Sequence, residues 1–195
     1  MEEVVNEIDS IQELKETKFI KPIEINYTQN GAKKRWEAVI SHDSVAIFLW
    51  HKDKDAFVFV KQLRVTVLNQ NRQNGMMYEL CAGIVDKDAS KIQIAKEEIL
   101  EECGYDVPLQ NIQKINSFYT SVGISGTHQT LYYAQIDDSM KVSDGGGIAG
   151  EEEIEVIYIP TKDAKEFMFD ESYQKTTGVM LSIYWFFDTY KKENG

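Results

Sequence analysis

Glu98, Glu101 and Glu102 recur at a spacing that places all three within about 100° of arc on an α-helix. Ile92, Ala95, Ile99 and Cys103 fall on the adjacent arc, so the acids border a stripe suited to a core. Like charges this close on a helix repel, at roughly 0.2–0.5 kcal/mol per pair. A solvated acidic face carries that repulsion, and so does a cradle for a hard divalent cation. Mg²⁺ takes oxygen ligands and binds through one or two carboxylates plus substrate phosphates. The spacing alone leaves both readings open. The setting favours the cradle, with Gly83 ahead of the helix, Gly104 closing it and Tyr105 continuing as a strand.

The elements that must position these acids follow from periodicity and punctuation. Residues Ala89–Cys103 read as the helix, ended by Gly104 with Pro108 shortly beyond. Ser44–Trp50 and Ala56–Leu63 read as strands buried on both faces, because their apolar content is nearly continuous. Met76–Val85 reads as extended and interrupted at Gly83, with further strands at Ile112–Thr120, Thr130–Ile136 and Glu155–Ile159. Gly178–Tyr190 reads as an amphipathic helix with Thr176 or Thr177 as its cap, and Gly145–Gly147 as a flexible loop. Ahead of all this, Phe19–Val39 reads as strands broken by Asn30-Gly31, a strong hairpin signal. The expected class is α+β: a mixed sheet with helices on its faces, preceded by a small N-terminal antiparallel β layer. Residues 1–43 are expected to form that tail and layer, and residues 44–195 the main domain.

The chain has 195 residues, with 21 Lys+Arg against 32 Asp+Glu, a formal net charge of −11. That sign argues against nucleic acid as a partner, because capture of its backbone needs a basic surface. Apolar runs fall far short of the roughly 20 residues of a membrane-spanning helix, and the acidic N-terminus lacks an export layout. Cys81 and Cys103, both in apolar company, are expected to be reduced and buried, and a cytoplasmic setting follows as the expectation. His42, His51 and His128 show no metal-ligand spacing and are expected to be structural or exposed.

The stretch from Gly83 to Tyr105 resembles the Nudix box, G-x5-E-x7-R-E-U-x-E-E-x-G-U with U a bulky apolar residue. Gly83, Glu98, Ile99, Glu101, Glu102, Gly104 and Tyr105 match, whereas Ala89 stands at the early Glu position and Glu97 at the Arg position. Glu79-Leu80-Cys81-Ala82-Gly83 is similar to the E-x-P-A-G of the ADP-ribose and nucleotide-sugar branch, and Val60-Lys61-Gln62-Leu63-Arg64 to its V-x-Q-x-R strand. With Gln29-Asn30-Gly31, Trp36, His42-Asp43-Ser44-Val45, Thr120–Gln129 and Lys175–Gly178, the pattern most resembles the UDP-glucose (UDP-sugar) diphosphatases within that family.

The resemblance implies an α/β/α Nudix sandwich whose N-terminal β layer serves a homodimer. It implies Mg²⁺, with Mn²⁺ as a substitute, held by Glu98, Glu102 and the Ala82 carbonyl, with Glu101 on a second ion or acting through water. Arg64 would contact the diphosphate, with Glu79 and Trp36 as further substrate contacts, Trp36 by stacking on a nucleotide base at the partner subunit. The general base would come from the acidic loop after the box, Glu151 or Glu152. The implied reaction is hydrolysis of a nucleoside diphosphate sugar, UDP-glucose to UMP and glucose 1-phosphate. The alternatives are ADP-ribose hydrolysis to AMP and ribose 5-phosphate, or a catalytically weak nucleotide-binding module.

Overall fold

The computed structural model describes residues 6–13, 16–17, 20–72, 74–148, 150 and 153–190. β1 (Lys21–Gln29) and β2 (Ala32–Ile40) form a two-stranded antiparallel sheet of their own. Asn30 and Gly31 turn it with φ of 54° and 77°, the left-handed pair that a two-residue hairpin needs. The seven-stranded sheet of the main body comprises β3 (Ser44–His51), β4 (Ala56–Leu63), β5 (Met76–Glu79), β6 (Cys81–Ile84), β7 (Ile112–Thr120), β8 (Thr127–Ile136) and β9 (Glu155–Pro160). Among the described residues, four α-helices accompany it: α1 (Val65–Asn71), α2 (Lys91–Cys103), α3 (Ala164–Phe169) and α4 (Thr177–Trp185), the last continuing as a wider π turn through Phe186–Tyr190.

The sheet is mixed and split. β3 runs parallel to β8 along its whole length but pairs with β4 only at the hairpin end, Leu49–His51 against Ala56–Val58. Beyond that point the two strands part. β6 takes the vacated edge of β3, and β5 the vacated edge of β4, while β9 covers the other edge of β4. The extended stretch expected over Met76–Val85, with its interruption at Gly83, is two strands broken instead at Leu80, because each half serves a different partner. Val45 lies opposite Gly83 and Ala46 opposite Ala82 in the β3–β6 ladder.

Alternation along β3 and β4 builds two cores. Val45, Ile47, Leu49, Val58 and Val60 meet Ile94, Ala95, Ile99 and Cys103 of α2 on one face. Ala46, Phe48, Phe57 and Phe59 meet Phe167 and Met168 of α3 and Val179 and Ile183 of α4 on the other. This is the α/β/α sandwich, and it explains the nearly continuous apolar content of both strands. No described helix is long and apolar enough to cross a membrane.

At the β3–β4 hairpin, His51 is fully buried against the Tyr105 and Tyr158 rings. Its ligand atoms lie within 4.8 Å of those of Asp53 and Asp138. The Lys54 ammonium already sits among them, 3.0 Å from His51 Nε2 and ion-paired to Asp138. Burial, and then Lys54, push the His51 pKa below its ordinary value of 6.5. An imidazole harder to protonate in the folded state than in the unfolded one binds fewer protons there. Its contribution to stability is therefore complete above about pH 6.5 and is lost as pH falls below it. Denaturant unfolding should show stability declining from pH 7 to pH 5. His51→Phe, which keeps a ring between the tyrosines, should flatten that slope; an unchanged slope would assign it elsewhere. Asp43, Asp137 and Asp138, lowered by their hydrogen-bond and lysine partners, act in a separate window below about pH 4.

Candidate active site

Helix α2 begins with a capping box: Gln93 N–H donates to the Ser90 side chain, and the Gln93 side chain accepts from Ser90 N–H. The helix thus starts at Lys91, with Ala89 outside it, two residues later than periodicity suggests. It ends on Gly104 with φ 73°. This places Glu98, Glu101 and Glu102 in its last turns, at the negative end of the helix dipole, where acids are disfavoured and where the last turn of the helix carries no basic residue of its own.

Two of the three acids turn toward β6. A methyl group built on Gly83 would overlap the Glu98 carboxylate and lie 2.6 Å from its Cγ, so only glycine admits that side chain here. Ala82 N–H donates to Glu102 Oε2 at 3.0 Å, and Glu102 is 5% exposed. Beside it Cys81 and Cys103 are free and fully buried, and burial pushes the Cys81 thiol well above its usual range. Glu101 faces solvent. A carboxylate held this deep, beside a second one and on a strand N–H, is an arrangement that a hard divalent cation stabilises.

The glycine run beyond the helix is docked, not loose. Gly146 N–H donates to Glu102 O at 2.9 Å, Gly147 N–H to Glu101 O at 3.2 Å, and Val142 N–H to Gly104 O at 2.9 Å. Lys141 Nζ donates to Cys103 O at 3.0 Å. These donors satisfy the carbonyls that any helix leaves unpaired at its C-terminus. Gly145, Gly146 and Gly147 have φ of 73°, 106° and 80°, and a methyl on Gly145 would collide with the Glu102–Cys103 backbone. The expected flexible loop is a clip on α2. Ile154 N–H returns to Gly146 O at 3.3 Å, so both ends of the acidic loop lie at the last turn of α2. Glu151 and Glu152 themselves lie outside the described residues.

Arg64 and Glu79, expected as separate substrate contacts, form one unit. Arg64 Nε donates to Glu79 Oε1 at 2.9 Å and Nη2 to Oε2 at 2.5 Å, a bidentate pair joining the end of β4 to the end of β5. Glu79 is nearly buried, and the exposed guanidinium is held by it. Trp36 is 53% exposed on β2, and its Nε1–H donates to Gly123 O at 3.0 Å. Val39 N–H donates to Ile124 O at 2.9 Å, so the hairpin rests on the 121–126 loop.

No family model matches the chain. Among curated proteins, it is 34% identical to uridine diphosphate glucose pyrophosphatase NUDT14 of Bos taurus over 196 residues, covering 87% of this chain and 88% of that protein. It belongs to the Nudix hydrolase family. It is also 35% identical to the GDP-mannose pyrophosphatase of Salmonella typhimurium over 144 residues, 73% of this chain and 72% of that one. Among solved structures, an ADP compounds hydrolase superposes with a TM-score of 0.70 over 93% of this chain and 91% of its own, at 13% identity, a likeness of fold.

Of the two departures from the Nudix box, one acquires an ion-pair partner in space. Glu97, at the Arg position, is ion-paired with Lys87 in the loop before the helix. Lys91 Nζ reaches Asp43 Oδ2 at 3.1 Å, Asp43 Oδ1 accepts His128 N–H at 2.9 Å, and the Asp43 carbonyl accepts Val85 N–H at 2.8 Å. Sequence reading assigned none of Lys87, Lys91 and Asp43 a role. The signal for Lys87 was the acid at position 97, which asks for a base in the loop facing it.

Proposed function

We propose that this Nudix hydrolase cleaves the diphosphate of a nucleoside diphosphate sugar, taking UDP-glucose and water to UMP and glucose 1-phosphate in the cytoplasm. The observation that carries the reading is the pair of carboxylates, Glu98 on Gly83 and Glu102 on Ala82, gathered at the negative end of α2. The sugar nucleotide is favoured by the relatives, whose names specify UDP-glucose and GDP-mannose.

Glu98, Glu102 and the Ala82 carbonyl would hold Mg²⁺ or Mn²⁺, with Glu101 serving a second ion from the solvent side. When bound, the cation supplies positive charge that polarises the phosphate oxygens and lowers the pKa of nearby water. Arg64, fixed by Glu79, would set its guanidinium charge against the diphosphate. Glu151 or Glu152 accepts the proton of the attacking water as its oxygen bonds to one phosphorus and the P–O–P bridge breaks. Support for this role comes from the anchoring of both loop ends at the last turn of α2.

Residues 1–43 would serve dimerisation, with residues 44–195 as the catalytic domain. Ile25 stands opposite Trp36 and Ile23 opposite Ala38, making one apolar face on a hairpin that pairs with no other strand among the described residues. A two-stranded ribbon alone is marginally stable, and an exposed apolar face marks an interaction surface. A second copy presenting Trp36 to the base would use both features.

The test incubates the purified chain with Mg²⁺ and UDP-glucose, GDP-mannose or ADP-ribose and resolves the nucleotides formed. UMP with glucose 1-phosphate, at kcat/KM about tenfold or more above ADP-ribose, is the expected result. AMP as the dominant product would move the substrate to ADP-ribose. Absence of product throughout, with EDTA making no difference, would leave a binding module. Light scattering should give twice the chain mass, and a monomer at micromolar concentration would refute the dimer.

A further inference from the structure

The loop 85–90 is the only covalent link between the strand that carries Gly83 and the helix that carries Glu98 and Glu102. Its geometry therefore decides whether strand carbonyl and helix carboxylates face each other. Two ion pairs cross it. Lys87, in the middle of the loop, pairs with Glu97 one position before Glu98. Lys91, the first residue of α2, pairs with Asp43, whose second carboxylate oxygen is held by His128 at the start of β8 and whose carbonyl is held by Val85 at the start of the loop. Asp43 thus ties strand, loop and helix at one point.

The polarity is the informative part. In the box that this stretch resembles, the loop side carries the acid and the helix side the base. Here Ala89 and Glu97 occupy those positions, and the charge has been exchanged across the gap, with the base moved two residues upstream to Lys87. We propose that Lys87 and Glu97, together with the Lys91–Asp43 pair, are positioning residues: a charge-inverted brace that holds loop 85–90 so that Gly83 stays against Glu98 and Ala82 against Glu102. The role concerns the metal-free protein first, and it rests on the reading of the acids as the metal cradle. Partner contributions support it, since Glu97 raises the Lys87 pKa and His128 and Lys91 lower that of Asp43.

Exposed ion pairs do little for global stability, so the brace acts on local position. The experiment compares Lys87→Glu, Glu97→Lys, Glu97→Arg, Asp43→Asn and the double exchange Lys87→Glu/Glu97→Lys. Three quantities are read: amide hydrogen exchange over residues 85–92 without metal, Mn²⁺ affinity by titration calorimetry, and the Mg²⁺ concentration at half-maximal turnover. Each single variant should exchange about tenfold faster in the loop and need about three- to tenfold more metal, with kcat less affected. The double exchange should return to within about twofold of the parent. Glu97→Arg decides the polarity: it should behave as a loss, because it faces Lys87. If it instead tightens metal binding, or if the double exchange only sums the two losses, the brace is refuted. Exchange and Mn²⁺ affinity need no turnover, so a protein that hydrolyses no diphosphate would sink the proposed reaction and still decide the brace.

Discussion

Glu102→Gln should abolish turnover, by on the order of 10³-fold in kcat or more, and leave the fold intact. A thousandfold is about 4 kcal/mol of lost transition-state stabilisation, within reach of removing one ligand charge from a metal-dependent site. The fold should survive because glutamine has the same shape and its amide oxygen can still accept the Ala82 N–H. Stability without metal should even rise, by up to about 1 kcal/mol, since a charge leaves both a buried position and the negative end of a helix. Added Mg²⁺ should raise the melting temperature of the parent, as any ligand specific to the folded state does, and should shift the variant less. A purely structural acid would give the opposite signature, a lower melting temperature with turnover retained. Turnover within tenfold of the parent would remove Glu102 from the cradle.

How far the chain could be read in advance follows from which forces are local. Helices on both faces of the sheet were legible because Val45–Trp50 of β3 and Ala56–Val60 of β4 are apolar without a break, which burial on both faces explains. The Asn30-Gly31 hairpin and the Gly104 terminus were legible because left-handed backbone selects its residues. The splitting of β3 from β4 was not, since the choice of partner strand is a tertiary event with no period in the chain. Helices α1 and α3 escaped notice because they are six or seven residues long and neither has a side-chain cap. At the site, the acids were legible from spacing. The union of Arg64 with Glu79 was not, because the two lie 15 residues apart, one at the cap of α1 and the other at the end of β5. The glycine run misled for a physical reason. Three consecutive glycines fit a hinge and equally a segment that must lie flat on the end of a helix, and only the carbonyls of Glu101, Glu102 and Gly104 decide between them.

Gly83→Ala should separate function from folding more cleanly than any change to the acids. The added methyl would overlap the Glu98 carboxylate, and something must give. The backbone need not, because Gly83 is not in the left-handed region and its place opposite Val45 in the ladder accepts an alanine. The Glu98 side chain is flexible and half-buried, so it is the element that swings away. Stability should then change little, and the narrower unfolded ensemble of alanine, worth about 0.4–1 kcal/mol, can offset the lost contact. Catalysis has no such latitude: a misplacement of about 1 Å in a catalytic group can cost 100-fold. The expected result is turnover down by about 100-fold, a raised Mg²⁺ requirement and a melting temperature within about 3 °C of the parent. The contrast with Gly145 shows why, for there the methyl would meet the Glu102–Cys103 backbone at a φ of 73°, and backbone cannot swing aside. Turnover of Gly83→Ala above a third of the parent would mean that the Glu98 carboxylate does its work from elsewhere, or does none.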